Sequence, residues 1–550
     1  MVGDRMKEVQ QRARRAVGVL ALSGLALLGT VGSAAVVAGA MLPGAAIAQQ
    51  FPAFRQALAE GVAQDRGLSQ FYRETDYAAV WTGAEHAARR SALVSALSRA
   101  PDHGLPAQRY DLPGLIAAFE RVESERDRGF VEAQASLTFA QFARDLSSGV
   151  LEPSAVIQQI VRVLPRPDTF ELMQDFVAAE PVSFMRGLAP HAPEYARLLH
   201  ARRTLETQVA QGGWGARVPS TTLRPGDTGE AVIALRNRLI AMGYMPRRAT
   251  ASYDGDMQRA VQRFQIAHGI EPDGIAGNAT ITAINVDPQE RLRAITVAME
   301  RERWMNIDRG DRHIWVNLTD FHARIVDHDQ VTFETRSVVG ARSPDMQTPE
   351  FSDEMEYLEI NPDWTLPRSI IARSYWNGLV EGGHSYLQLI DSRGQVVPRD
   401  AVDLSRYTPR TMPFEVRQPP GPSNPLGRVK FMFPNAYAIY LHDSPARSLF
   451  STTVRTHSSG CIRLNDPEDF AYELLSRQTD DPVTLYQRIL RSGQQTRLDL
   501  DEHVPVHLVY RTAFTSVDGS MNYRNDVYGR DARIYEALQR AGVEMTAHQS

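Results

Sequence analysis

The sequence predicts a multidomain α+β protein: a helical N-terminal region, a compact three-helix unit, and a predominantly β domain that carries an insertion. Three observations support this fold class. At 550 residues the chain is too long for one hydrophobic core. Helical periodicity fills the first part of the chain, whereas strand-like alternation begins near residue 312. A polar stretch of about fifty residues then interrupts the β region.

The composition is that of folded globular protein. Hydrophobic residues make up 43% and charged residues 23% of the chain. The net charge is −5 and the sequence pI is about 6.3. A nucleic-acid-binding protein normally carries a basic excess, so we expect no nucleic-acid partner.

Residues 1–48 have the three parts of an export signal. Five basic residues come first, an uncharged apolar run follows, and a small-x-small cleavage site ends at Ala48. The apolar run is also long enough to span a bilayer, so an uncleaved anchor is the alternative and would be the one membrane contact. Both alternatives export the rest of the chain, and we expect a periplasmic location.

Residues 53–213 are predicted to form a helical scaffold domain. In residues 193–209 apolar side chains recur at helical spacing, and Gly- and Asp-containing breaks separate the other helical segments. No cluster of catalytic residue types occurs here.

Residues 221–287 are predicted to form the three-helix unit. Its first helix has a face of Val232, Leu235 and Leu239, and a Pro-Asp-Gly turn precedes its third helix. The segments LRPGDTGEAVIALRNRLIAMGY and YDGDMQRAVQRFQIAHGIEPDGIAGNATITAIN resemble a peptidoglycan-binding domain. This resemblance implies binding to cell-wall glycan and peptide, whereas a plain spacer bundle is the alternative.

Residues 312–490 are predicted to form the β domain, with strands at 313–318, 321–326, 331–339 and 437–441. An insertion at about 369–420 has the size of a functional lid. Residues 491–550 are expected to be a C-terminal extension that ends in a helix at about 531–541.

The chain has one cysteine, Cys461, which cannot form an internal disulfide. It is either a buried inert side chain, an intermolecular link or a reactive thiol. The surrounding segment RTHSSGCIR and the upstream segment YLHD favour the reactive thiol.

These residue types suit nucleophilic catalysis. His442 can take the proton from the thiol of Cys461 and so raise its reactive fraction. Tyr440 lies two residues before His442, so on a strand both side chains share a face, with the phenol placed to donate to an oxyanion. Gly460 permits a tight turn that aims backbone N–H groups at the substrate carbonyl. Arg463 can bind a substrate carboxylate through two hydrogen bonds.

A zinc site made of His442, His457 and Cys461 is an alternative because the ligand types are suitable. The paired-ligand spacing that such sites normally show is missing from the sequence. We therefore expect no metal and no organic cofactor.

Three other polar or aromatic residues are candidates for substrate contacts. Trp364 could stack on substrate or pack in a core. Asn424 and Lys430 look exposed in the sequence.

The pattern of a histidine, a spacer and then SSGCIR resembles the signature of the L,D-transpeptidase (YkuD-type) catalytic domain. In this resemblance Cys461 matches the nucleophile and His442 the base. The third member of the triad is implied to be the backbone carbonyl of Asp443, which orients the base.

Ser459, Gly460 and Arg463 fall on the other signature positions, and Ser459 and His457 are expected near the substrate. Many members have a histidine where this chain has Ser459, and this chain places His457 two positions earlier. In this arrangement the chain resembles one subgroup of the family, the large periplasmic members that have a scaffold, a wall-binding module and a capping insertion.

The resemblance implies that Cys461 forms a thioester with a tetrapeptide stem, releases D-alanine and transfers the stem to a diaminopimelate amine, which makes a 3→3 cross-link. It implies peptidoglycan stem peptides and glycan as partners, other wall-synthesis enzymes as further partners, and covalent inhibition by carbapenem β-lactams. Two alternatives change only the acceptor, to water (an L,D-carboxypeptidase) or to a protein amine. A third alternative is a catalytically idle protein that anchors to the wall.

Overall fold

The computed structural model describes residues 52–544, which pack as one compact unit. The predicted export signal or anchor, residues 1–48, lies outside the described residues. Within residues 52–544 no helix combines the length and the apolar character needed to cross a membrane.

The N-terminal region is helical, as predicted. Its longest helix begins with a reciprocal cap, in which the Ser124 hydroxyl accepts from the Asp127 N–H and the Asp127 carboxylate accepts from the Ser124 N–H. The helices of this region are α1 (Ala53–Val62), α2 (Arg66–Glu74), α3 (Ala87–Ser98), α4 (Leu112–Glu120), α5 (Glu125–Ser148), α6 (Pro153–Val156), α7 (Thr169–Ala178), α8 (Pro181–Gly187) and α9 (Pro193–Ala210).

The three-helix unit is also present. It comprises α10 (Glu230–Ala241), α11 (Gly255–Ala267) and α12 (Asn278–Ile284). The predicted apolar face of the first helix is buried, and it packs with Val261 and Phe264 of the second helix in a core of its own.

Helix α13 (Pro288–Trp304) connects this unit to the β domain and packs along the scaffold. Its four consecutive charged residues, 300–303, are all buried. Glu300 accepts hydrogen bonds from the backbone N–H groups of Val150 and Leu151, at 2.7 and 2.9 Å. The helix is therefore tied to the scaffold by buried charge as well as by apolar packing.

The β domain contains one large sheet with the strand order β11-β3-β12-β10-β9-β4-β13-β1-β2. Strand β3 is long enough to pair with β2 through its first half and with β12 and β11 through its second half, so the sheet closes on itself. The strands of this sheet are β1 (Arg312–Asn317), β2 (His322–Asp327), β3 (Gln330–Gly340), β4 (Phe351–Ile360), β9 (Val429–Met432), β10 (Leu441–His442), β11 (Thr456–Ser458), β12 (Ile462–Leu464) and β13 (Thr496–Val509).

The insertion forms a separate cap with its own core. It holds a four-stranded sheet of order β5-β8-β6-β7, comprising β5 (Trp364–Thr365), β6 (Gln388–Ile390), β7 (Val396–Val397) and β8 (Glu415–Gln418). Its helical part runs through α14 (Arg368–Ile370), a π-helical turn (Ile371–Tyr375) and α15 (Trp376–Val380).

The expectation of a separate C-terminal extension is wrong for its first part. Strand β13 lies inside the main sheet, parallel to β1 and antiparallel to β4. Its exposed half alternates acidic residues with apolar ones and its buried half contains Pro505, so the segment lacks a uniform strand pattern.

The remaining elements are α16 (Pro467–Leu475), α17 (Pro482–Arg491), the hairpin of β14 (Ala513–Thr515) and β15 (Met521–Tyr523), and α18 (Arg530–Arg540), the helix predicted at the C-terminus.

We predict that Glu300→Gln destabilises the chain. The amide could keep its oxygen at the backbone N–H groups only by turning its NH₂ group towards the buried guanidinium of Arg303, which now pairs with Glu300 at 2.8 Å. The buried arginine would lose its carboxylate partner, so the free energy of unfolding should fall by about 2–4 kcal/mol. Urea denaturation followed by circular dichroism measures this loss. Glu290→Gln, at the exposed first turn of the same helix, should cost about 1 kcal/mol or less; equal losses in the two variants would contradict the assignment.

Candidate active site

The site is set by the pairing of two short strands, β10 and β12, which run parallel. Leu441 lies opposite Ile462, and both are fully buried in the core of the β domain. Successive side chains on a strand point to opposite faces. The residues on either side of this pair therefore lie on the other face of the sheet, towards the cap.

Four of the predicted residues share that face. The rings of Tyr440 and His442 are 5.6 Å apart and meet edge to face. His442 lies directly opposite Arg463. The hydroxyl and the backbone of Tyr440 lie beside the Cys461 sulfur, where they act to lower the pKa of its thiol. The structure thus brings together the predicted nucleophile, base, phenol and guanidinium.

The strand that carries the base is shorter than the predicted segment 437–441, because it begins only at Leu441. The Asn435 side chain accepts from the N–H groups of Tyr437 and Ile439 and donates to the Ile439 carbonyl, which folds the chain into a tight turn. Ala438, inside this turn, has a left-handed backbone with φ of +54°.

His442 is buried, and its Nδ1 lies 2.5 Å from the carbonyl oxygen of Asp443. A carbonyl can only accept, so Nδ1 carries the proton and Nε2 has a free lone pair. Burial lowers the pKa of His442 to about 3, and the neighbouring cations Arg463 and Lys430 act in the same direction. The imidazole is therefore neutral over the physiological range and able to accept a proton.

Cys461 is partly exposed and uncharged at rest. Burial among its neighbours raises the pKa of the thiol to about 11, and the neighbouring polar groups of Tyr440 oppose this shift. In this structure the thiol donates to the carbonyl oxygen of Ala438, 3.6 Å away, and not to His442.

Two cations border the site. The Lys430 ammonium lies 2.6 Å from Glu359 and 5.6 Å from the centre of the Tyr440 ring. Arg463 is half-buried, and its Nε is buried without a hydrogen-bond partner among residues 52–544. An unpaired buried donor of this kind suits an incoming carboxylate or carbonyl.

The turn before the nucleophile differs in one respect from the prediction. Gly460 has a φ of +125°, which requires glycine, but its N–H donates to the Ser458 hydroxyl at 3.1 Å. That N–H is therefore not free for a substrate oxygen. Within the described part of the chain, the N–H of Cys461 makes no hydrogen bond, so this N–H, and not that of Gly460, is the free backbone donor at the turn.

His457 and Ser459 flank this turn on the exposed side. His457 makes only a long contact, 3.5 Å, from Nε2 to the hydroxyl of Thr452. Both side chains are open to solvent beside the nucleophile.

Two predicted substrate contacts lie elsewhere. Trp364 is buried in the core of the cap. Asn424 is fully buried, and its amide NH₂ donates to the carbonyls of Pro362 and Pro419 while its oxygen accepts from the N–H of Leu426. The prediction that Asn424 contacts substrate is wrong because its hydrogen-bonding groups hold together the Pro-rich loop of the cap.

The cap covers the site through Tyr440, whose ring packs against the cap core as well as against the core of the sheet.

Sequence reasoning missed Asn435 and Thr348, whose side chains shape the two loops beside Cys461. The Pro-Asn pair at 434–435 is a turn signal that could have identified Asn435. No local signal marks Thr348.

Residues 52–544 contain no group of three or more His, Cys, Asp or Glu side chains arranged to hold a metal ion.

The raised thiol pKa predicts slow alkylation of Cys461. Thiolate is fully formed only above the pKa and falls tenfold per pH unit below it, so at pH 8 iodoacetamide should react about a hundredfold more slowly than with a free cysteine of pKa near 8.5. The rate should still be rising at pH 10. Mass spectrometry reports it without ambiguity because the chain has a single cysteine. The same chain unfolded in guanidinium serves as the control, and a plateau of the native rate below pH 9 would refute the prediction.

Three family models match the chain. The L,D-transpeptidase catalytic domain (YkuD) matches residues 311–491, the "Scaffold domain" matches 66–201, and the "Putative peptidoglycan binding domain" matches 228–284. Each match falls on a part of the chain for which the sequence predicts the corresponding domain.

One curated relative is described as "Putative L,D-transpeptidase" from Haemophilus influenzae and is 30% identical over 245 residues, which is 43% of this chain and 48% of the relative. The chain thus spans about half the length of the curated relative it matches. Two solved structures are also similar: an L,D-transpeptidase from Xylanimonas cellulosilytica (14% identity, 54% of this chain, 98% of that chain, TM-score 0.16) and one from Stackebrandtia nassauensis (15%, 53%, 97%, TM-score 0.20).

Residues 311–491 belong to the L,D-transpeptidase catalytic-domain family of the YkuD type, in a chain that also carries a scaffold domain and a peptidoglycan-binding domain.

Proposed function

We propose that this protein is a peptidoglycan L,D-transpeptidase that uses Cys461 as its nucleophile and His442 as its base. One observation carries the proposal: Cys461, His442 and Tyr440 share one face of a YkuD-type domain, beneath a cap. Peptidoglycan stem peptides and glycan are the proposed partners.

In the first half-reaction the Cys461 sulfur attacks the carbonyl carbon of the L,D peptide bond after the third residue of a tetrapeptide stem, and Nε2 of His442 takes the thiol proton. The carbonyl oxygen becomes an oxyanion, which the Tyr440 hydroxyl and the Cys461 N–H stabilise. The C–N bond then breaks, D-alanine leaves with the proton from His442, and a thioester remains.

In the second half-reaction an amine of a neighbouring diaminopimelate attacks the thioester carbonyl, and His442 accepts the proton that the amine loses. The C–S bond breaks and the sulfur takes the proton back from His442. The product is a 3→3 cross-link, and the resting thiol and imidazole are restored.

The charges around the site suit an anionic substrate. Peptidoglycan stems carry carboxylates at the terminal D-alanine and along the peptide, and the unpaired Nε of Arg463 lies on the nucleophile's face of the sheet. Lys430 adds a second positive charge, partly neutralised by Glu359. We infer that Arg463 binds a donor carboxylate and so places the scissile bond over Cys461.

The other domains have proposed roles in the same reaction. The peptidoglycan-binding domain raises the local concentration of stems near the site. The cap limits the access of water, which would otherwise hydrolyse the thioester. Residues 1–48 are proposed to export the chain to the periplasm, where other wall-synthesis enzymes are its proposed neighbours and carbapenems its proposed covalent inhibitors.

The central prediction concerns the two catalytic residues. Cys461→Ala should abolish the formation of cross-linked dimers from purified tetrapeptide muropeptides, because no other thiol exists in the chain. His442→Ala should slow acylation by a factor of about 10²–10⁴, the usual contribution of a general base. Mass analysis of the products measures both effects.

Exposed His503, on β13, provides the matched control, and His503→Ala should keep the wild-type rate. The same analysis identifies the acceptor: cross-linked dimers indicate an amine, whereas trimmed monomers alone would indicate an L,D-carboxypeptidase. Dimer formation by Cys461→Ala, or binding to sacculi without any turnover by the wild type, would refute the proposal.

A second prediction concerns donor binding. Arg463→Met should raise KM for the tetrapeptide donor at least tenfold, because the charge-assisted hydrogen bonds to the carboxylate are lost. Arg491→Met, an exposed arginine at the end of α17, should leave KM within twofold of wild type. Steady-state kinetics with a defined donor tests this, and an unchanged KM for Arg463→Met would exclude Arg463 from donor binding.

A further inference from the structure

The segment that connects β3 to β4, residues 341–350, runs directly beside the nucleophile turn. We propose that Thr348 of this segment is a positioning residue for Cys461 and that Arg530 of helix α18 holds Thr348 in place. The inference rests on the proposed role of Cys461 as the nucleophile.

Thr348 joins two backbone segments through one hydroxyl. Its Oγ1 donates to the carbonyl of Gly460 at 2.7 Å and accepts from the N–H of Gly340, the last residue of β3, at 2.9 Å. Thr348 is completely buried, so no water replaces either bond. The peptide unit between Gly460 and Cys461 is therefore fixed to the end of β3 by this hydroxyl.

Arg530 holds the other side of the segment. Its guanidinium donates to the carbonyl of Thr348 at 2.8 Å and pairs with Glu350 at 2.8 Å. Arg301 of α13 pairs with the second oxygen of Glu350 at 2.5 Å. Both arginines are buried, so the carboxylate of Glu350 is held between two cations in a region of low dielectric.

Other parts of the chain also hold residues 341–350. The scaffold forms a short parallel bridge with it, in which the N–H of Val161 donates to the carbonyl of Glu350 and the N–H of Glu350 donates to the carbonyl of Gln159, both at 2.8 Å. From the cap, Arg373 lies 3.5 Å from Asp345. Contacts from the scaffold, the cap, α13 and α18 thus converge on a segment that itself touches the nucleophile turn.

A positioning role follows from geometry. The plane of the Gly460–Cys461 peptide sets the directions of both the Cys461 N–H and the side chain that carries the sulfur. A displacement of about 1 Å at such a turn can cost a hundredfold in rate while leaving substrate binding intact. Loss of the Thr348 hydroxyl should therefore lower kcat and leave KM unchanged.

The test compares Thr348→Val with Thr348→Ser in the full chain. Valine keeps the shape and removes both hydrogen bonds, so kcat should fall at least tenfold with KM within twofold, whereas serine should restore kcat to within threefold of wild type. Arg530→Met should lower kcat in the same way, and Arg540→Met, an exposed arginine in the same helix, should not. All rates are taken well below each variant's Tm, so that only folded protein is compared.

The alkylation profile of Cys461 gives a second readout that needs no transpeptidase activity. If the turn shifts, the sulfur moves away from the polar groups of Tyr440 that favour the thiolate, so the rising limb of the alkylation rate should move to higher pH in Thr348→Val and not in Thr348→Ser. A wild type that makes no cross-links would overturn the proposed function but leave this readout intact. Wild-type kcat and an unshifted alkylation profile in both Thr348→Val and Arg530→Met would overturn the positioning role.

Discussion

The parallel pairing of β10 with β12 determines where the proposed reacting groups lie. The period of a strand is two residues, so a shift of one position would turn the base into the core and bring a leucine to the site. The register is held by the buried Leu441–Ile462 pair and by the hydrogen bond from the N–H of Ile462 to the carbonyl of Tyr440 at 3.1 Å. The arrangement of the site is thus a consequence of how two apolar side chains pack.

The electrostatics of the site keep its two central groups neutral. Burial and two nearby cations disfavour a charged His442, and burial disfavours a charged Cys461. In the proposed reaction, charge would develop only when the sulfur attacks, and it would then move to an oxygen that faces Tyr440 and the Cys461 N–H. The donors are in place before the reaction begins, so little reorganisation accompanies it.

Local pattern is enough to predict that Cys461, His442 and Tyr440 lie together and that the first three strands form, because the spacing and types of nearby residues carry that information. It failed where the structure depends on distant segments. Thr348 bonds to a residue 112 positions away and Arg530 to one 182 positions away, and nothing near either residue indicates the partner. Asn424 looked exposed in a Pro-rich segment, but the carbonyls of that loop required a buried donor.

Strand β13 comes late in the chain and yet lies inside the large sheet, between β1 and β4. Every strand that carries a reacting group is therefore made before the strand that completes the sheet beneath it. A chain interrupted after its family signature would contain all of the reacting side chains and still lack their support. Assembly of the large sheet thus has to wait until residue 509 has been made, so shorter copies of the proposed enzyme would be inactive.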